Sequence, residues 1–406
     1  MGYDETGRNA PVEPSSAVPA AVLENVFDDP SHGEPGRDRV VVHVVWELLL
    51  LAGLAAVTWQ LWRDDADALR GEGLRSLLVN VGGLGLLALA AGLSLRAAAV
   101  NLAIGPVALA AALHFAEQGD LGLREVLLPA LVVAALGGLA LALAVVVLHV
   151  PSWAASLAGA AGVIVYIERR TGPVLVQGGY DPRPNALYFF LGFAAVAVLG
   201  GLFGAMRPIR RLVGRFRPVA DPARRRGGVA ATVTVLALTG STVLAMLGGM
   251  LLAANRSGPL TPATGLDWSV LAVGTAMLAG TSAYGRRGGV FGTLFAVSLV
   301  AVFLTWARTR GWMINRWAVG GAVLGAGLLV TRLVETFGRP RPAGAGAEVL
   351  PPGDGTDSTG WALTSPSEPA DAWSSVLPLR TTDTPVDTWE APRWESEPRR
   401  WDADDR

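Results

Sequence analysis

Residues 126–148 read VLLPALVVAALGGLALALAVVVL, 23 positions without one charged side chain. A helix that crosses the roughly 30 Å hydrocarbon layer of a bilayer needs about 20 such residues. Working outward from this stretch, the same rule finds nine more: roughly 41–62, 76–95, 98–116, 152–168, 187–206, 229–253, 268–284, 289–307 and 317–337. The reading is an all-α fold, a polytopic membrane helix bundle of about ten transmembrane helices over residues 41–337. Composition agrees. The 406 residues are 51% hydrophobic and 17% charged, with a mean hydropathy of +0.41, whereas soluble domains carry about 25% charge. Such a chain is a poor candidate for a soluble globular enzyme.

The formal net charge of −1 hides a division. Residues 1–40 carry −5, residues 338–406 carry −6, and the apolar centre carries +10. The two acidic, Pro-rich arms have too little apolar surface to offset chain entropy, so both are expected to be disordered. The five tryptophans of the C-terminal arm, Trp361, Trp373, Trp389, Trp394 and Trp401, could be short docking motifs, though plain disorder is the simpler reading. The first 40 residues lack the apolar core of a signal peptide. Orientation follows from residues 207–228, RPIRRLVGRFRPVADPARRRGG, with eight arginines and one aspartate. A connector this basic belongs on the cytoplasmic side of a bacterial inner membrane. An even number of spans on each side of it places both termini in the cytoplasm as well.

Catalytic signatures are missing. There is no HExxH, no GxSxG at a strand–helix turn, and no lysine with which to build a phosphate-binding P-loop. Cysteine is absent and there are four scattered histidines, so neither a thiolate site, a metal cluster nor a cofactor is expected. His114 is the deepest histidine, readable as a proton carrier or as a bundle histidine held by hydrogen bonds. Three segments stand out. Leu95–Ala112, LRAAAVNLAIGPVALAAA, places Asn101, Gly105 and Pro106 inside an apolar run. Asn at that depth needs partners, and Gly–Pro can break a helix where it lines a cavity. Ala279–Leu294, AGTSAYGRRGGVFGTL, is a glycine-dense hairpin, and His149–Leu157, HVPSWAASL, is a tight turn opening a helix at Pro151.

In order and spacing these segments resemble the permease subunit of sugar-type (ribose/galactose/xylose-like) ABC importers. AAVNLAIGP corresponds to a GGIDLSVGS segment, with Asn101 in the acidic position and Gly105 kept; the GGID glycines are alanines here. VPSWAASLAG corresponds to VPxFIxTLG. LAGTSAYGRRGGVFGTLFA keeps Gly280, Ser282, Gly285, Gly288, Gly289, Gly292 and Thr293 of the third. The resemblance implies a solute pathway through Asn101, Gly105, Thr281, Ser282 and Thr293, with hinges at Pro106, Gly280, Gly288, Gly289 and Gly292. It implies that the 207–228 connector docks a separate cytoplasmic ATPase through Arg217, Ala220, Asp221, Ala223, Arg224, Arg225, Arg226 and Gly227. Pro222 departs from the helical pattern of that segment. It further implies an extracytoplasmic solute-binding protein landing on 168–186 and 254–267, and a second permease copy, with no nucleic-acid partner. The weakly polar path suits a small neutral solute such as a monosaccharide. Permeation of nucleosides or branched-chain amino acids, and a non-transporting membrane scaffold, stay open as alternatives.

Overall fold

The computed structural model describes residues 40–206, 228–282 and 289–338. The expectations for the two arms, for Gly288 and for all eight coupling residues from Arg217 to Gly227 lie outside the described residues.

The described residues form α1 (Val40–Asp64), α2 (Gly71–Arg96), α3 (Ile104–Gln118), α4 (Leu123–Val146), α5 (Ser152–Glu168), α6 (Ala186–Ala205), α7 (Gly228–Ala254), α8 (Leu266–Leu278), α9 (Gly292–Thr309) and α10 (Arg316–Gly338). Short 3-10 turns occupy Ala66–Leu69, Gly119–Leu121 and Arg183–Asn185. Each apolar stretch of the sequence thus carries a helix. Six of them, those of α1, α2, α4, α6, α7 and α9, are long and apolar enough to cross a membrane. The described residues form an all-helical membrane protein, and six of the about ten spans expected from the sequence meet this measure of length and apolarity. Helices α3, α5 and α8 have only 15, 17 and 13 residues, about 20–25 Å each.

Helix α7 is the axis of the bundle: α2, α3 and α4 all pack on it. More than half of the central windows of α2 and α7 is buried (56% each), against 11% for α1. Glycines set the spacing. A methyl group on Gly249 would collide with the backbone of Ala108, and one on Gly138 would come within 2.6 Å of Thr239 Cα. The peripheral helices turn apolar ridges outward, as Leu128, Val132, Val133, Leu136 and Leu143 do on α4. Such a surface suits lipid and not water.

Two expected helices stop short. The 98–116 candidate begins only at Ile104, because α2 ends in a left-handed cap. Ala98 sits at φ 50, and the N–H groups of Ala98 and Ala99 return to Leu95 O and Ser94 O at 2.9 Å each. This is the Schellman arrangement, normally built on glycine. The break therefore falls at 97–103, ahead of Gly105 and Pro106, which lie in the first turn of α3. Proline is tolerated there because its missing N–H has no helical acceptor anyway. The 268–284 candidate ends at Leu278 for the same reason, with Gly280 at φ 92.

Candidate functional site

The non-helical loop 97–103 lies at the middle of the bundle. Asn101 Nδ2 donates to Ser241 Oγ at 3.0 Å and Thr242 Oγ1 at 3.4 Å, halfway along the 27-residue α7. Its Oδ1 accepts the Ala103 N–H at 3.0 Å. An interruption at this depth must find partners for its backbone groups inside the protein, and two serines supply them. Ser156 of α5 accepts from Leu102 N–H at 3.0 Å and donates to Val100 O at 3.1 Å. Ser269 of α8 accepts from Gly105 N–H at 2.8 Å and donates to Leu102 O at 2.9 Å. Gly105 is itself at a backbone crossing, since a Cβ there would collide with Gly265 O. The three short helices therefore meet at one loop by their N-terminal turns: Gly105 of α3, Ser156 of α5 and Ser269 of α8. Asn101 and both serines are buried.

The second group of expected site residues sits at the other end of α8. Gly280 N–H and Thr281 N–H return to Met277 O at 2.8 Å and Ala276 O at 3.1 Å, closing the helix in a second Schellman motif. Thr281, Ser282 and Thr293 are buried beside it. Gly292 has no room for a side chain because Ala279 O lies against it. Two neighbours on α1, Trp46 and Glu47, hold this junction from both sides. Trp46 Nε1 donates to Leu278 O at 2.8 Å. Glu47 Oε1 accepts the N–H groups of Phe291 at 2.7 Å and Gly292 at 3.1 Å, capping α9 with a negative charge. The same carboxylate fills the space where Gly289 lacks a Cβ. Asn101 and Gly105 are thus brought together, as are Gly280, Thr281, Gly292 and Thr293. The length of α8, about 20 Å, separates the two groups.

A cavity of about 300 Å³ opens near the N-terminal end of α8. Its walls are Leu109 of α3 and Leu260 of the 255–265 connector. Asp267 and Trp268 reach it from the first turn of α8, Asn315 and Arg316 from the start of α10, and Arg256 from the end of α7. Helices α8 and α10 run parallel: Gly320 abuts Leu271, Gly274 abuts Leu324, and Gly327 abuts Met277 and Leu278. Both N-termini, each with a partial positive charge, consequently arrive at the same place. Arg316 bonds Asp267 at 3.2 Å and lies 5.4 Å from the Trp268 ring centre. Arg256 makes no side-chain hydrogen bond or ion pair among the described residues. Partial burial, followed by the charges of Arg316 and Arg308, pushes its pKa below the usual arginine value. Trp268 is buried, and its Nε1 has no hydrogen-bond partner among the described residues.

The loops expected to receive a solute-binding protein are held by internal contacts. Val174 and Leu260 exchange two backbone hydrogen bonds of 2.8 Å, tying the connector after α5 to that after α7. Arg170 grips Glu117 at the end of α3 at 2.5 and 2.7 Å, and that carboxylate, together with Tyr166, holds the guanidinium pKa above its usual value. His114 Nε2 is buried and takes no partner among the described residues. Sequence reasoning had no signal for the pairing of Trp46 and Glu47 with the α8–α9 junction, nor for the meeting of Arg256 with Arg316. No family model matches the chain, and neither does any curated protein or solved structure.

Proposed function

We propose that this chain is the membrane-embedded permease subunit of an importer of small polar solutes. One observation carries the reading: three short helices meet by their N-terminal turns at a non-helical loop halfway along the central helix. A bundle that only anchors a protein has no use for a buried backbone interruption that three serine and asparagine side chains must satisfy. Discontinuous helices meeting near the bilayer midplane suit a pathway that opens alternately to either side. Glycine crossings at Gly105 and Gly249 let neighbouring backbones slide as units, because no side chains interlock there.

The order of the three glycine-bearing segments supports the ABC importer class, in which a separate ATPase docks on residues 207–228 and a second permease copy completes the pathway. That resemblance also motivates a monosaccharide as the solute, and both termini in the cytoplasm. The chain itself brings no P-loop lysine, consistent with fuel supplied by another polypeptide.

The test uses vesicles holding the chain with its co-purified ATPase and solute-binding partner. Solute should stimulate ATP turnover, and an Arg224/Arg225/Arg226→Ala triple should uncouple turnover from uptake. The natural lack of cysteine allows a second readout. A single Ser269→Cys should react with a membrane-impermeant thiol reagent during turnover and be protected without ATP. No flux, together with Ser269→Cys silent under all conditions, would rule out a permease.

A further inference from the structure

One feature of the cavity near α8 remains unused by the pathway just described: the Arg256 guanidinium, which has no acceptor among the described residues. Arg256 and Trp268 both line the cavity, together with Arg316 and a single carboxylate, Asp267, which Arg316 already engages. The lining therefore carries a surplus positive charge. The starts of α8 and α10, arriving in parallel, add the partial positive ends of two helices. The Arg256 guanidinium and the Asn315 amide stand beside one carboxylate that Arg316 already engages, and the hydroxyls of Thr261 and Thr264 complete a wall that also carries the apolar Leu109, Leu260 and Ile314. The volume of about 300 Å³ is at the small end of ligand pockets.

We propose that this cavity binds an anionic oxygen group, carried by a small organic acid or by a phospholipid headgroup. A carboxylate or phosphate would give Arg256 a charge-assisted partner. An apolar body attached to it would rest on the leucine wall. A neutral solute would leave the Arg256 charge uncompensated. The site is independent of the transport reading.

The experiment uses the full chain in nanodiscs of phosphatidylcholine alone. Benzoate, inorganic phosphate and glucose are titrated calorimetrically, and native mass spectrometry of the protein purified from cell membranes counts retained phosphatidylglycerol. Benzoate or phosphate should bind saturably without competition from glucose. R256Q should weaken binding about tenfold and R256K less, as expected for loss of a charge-assisted donor. The Arg256 side chain makes no hydrogen bond among the described residues, so R256Q should keep the wild-type melting temperature. One phosphatidylglycerol per chain, lost in R256Q and accompanied by no benzoate or phosphate binding, would assign the site to a headgroup. Equal behaviour of wild type and R256Q toward every probe overturns the proposal. Arg256-dependent binding without flux would remove the permease and leave the site; flux without such binding would do the reverse.

Discussion

Asn101 does its structural work through three hydrogen bonds at once. Its Nδ2 reaches two hydroxyls of α7 and its Oδ1 takes the N–H of Ala103. Truncation to alanine leaves that N–H buried without an acceptor, at a cost of about 1–3 kcal/mol. Asn101→Ala should lower the melting temperature in detergent, and Asn101→Asp should lower it further at neutral pH by placing a charge at the centre of the bundle. Ala98 makes the opposite prediction. It holds φ 50 in a cap that favours glycine, so Ala98→Gly should raise stability by about 1 kcal/mol, measured by the same melting experiment. Glycine 105 admits no such freedom. Gly105→Ala would press a methyl into Gly265 O and should abolish accumulation of folded protein, whereas Gly137→Ala, with open space around it, should be tolerated.

At the scale of elements, the sequence was most legible where side chains face lipid. Apolar runs marked all ten helices, and the 152–168 candidate coincides with α5. The breaks were harder to see. Gly105 and Pro106 drew the eye, yet the helix ends earlier, at an alanine whose left-handed conformation has no residue signature. The hairpin glycines were read as hinges, and Gly280 does close α8. What holds that junction is Glu47, more than 240 positions away in the chain, a partnership that only tertiary packing creates. Replacing Glu47 by alanine removes the acceptor for two N–H groups at the start of α9 and should cost about 0.5–2 kcal/mol, as for loss of a helix cap. Glu47→Gln keeps a neutral acceptor and should lose less. Hydrogen exchange at Phe291 and Gly292 should rise in the alanine variant while that of α7 stays slow. The cavity was invisible for a related reason: Arg256, just after α7, and Arg316, at the start of α10, meet only through tertiary packing, which apolar periodicity does not report.

For the whole molecule, the acidic C-terminal arm separates the functional classes considered for the chain. Deleting residues 338–406 should leave solute uptake intact if the bundle is a permease, because the interruption and the cavity both lie before Gly338. A scaffold that recruits partners through its arms would lose its activity in the same deletion, and co-precipitation from membranes would reveal it. The paired connectors have a further consequence. Val174 and Leu260, joined by two backbone hydrogen bonds, lie on one side of Gly172 and the Arg170–Glu117 pair on the other, while across it the Gln177 N–H donates to Ala116 O at 2.8 Å and α7 packs on α2, α3 and α4. A gene cut between Thr171 and Gly172 and expressed as two open reading frames should therefore give fragments that recognise each other in the bilayer and co-purify as a nicked but native protein.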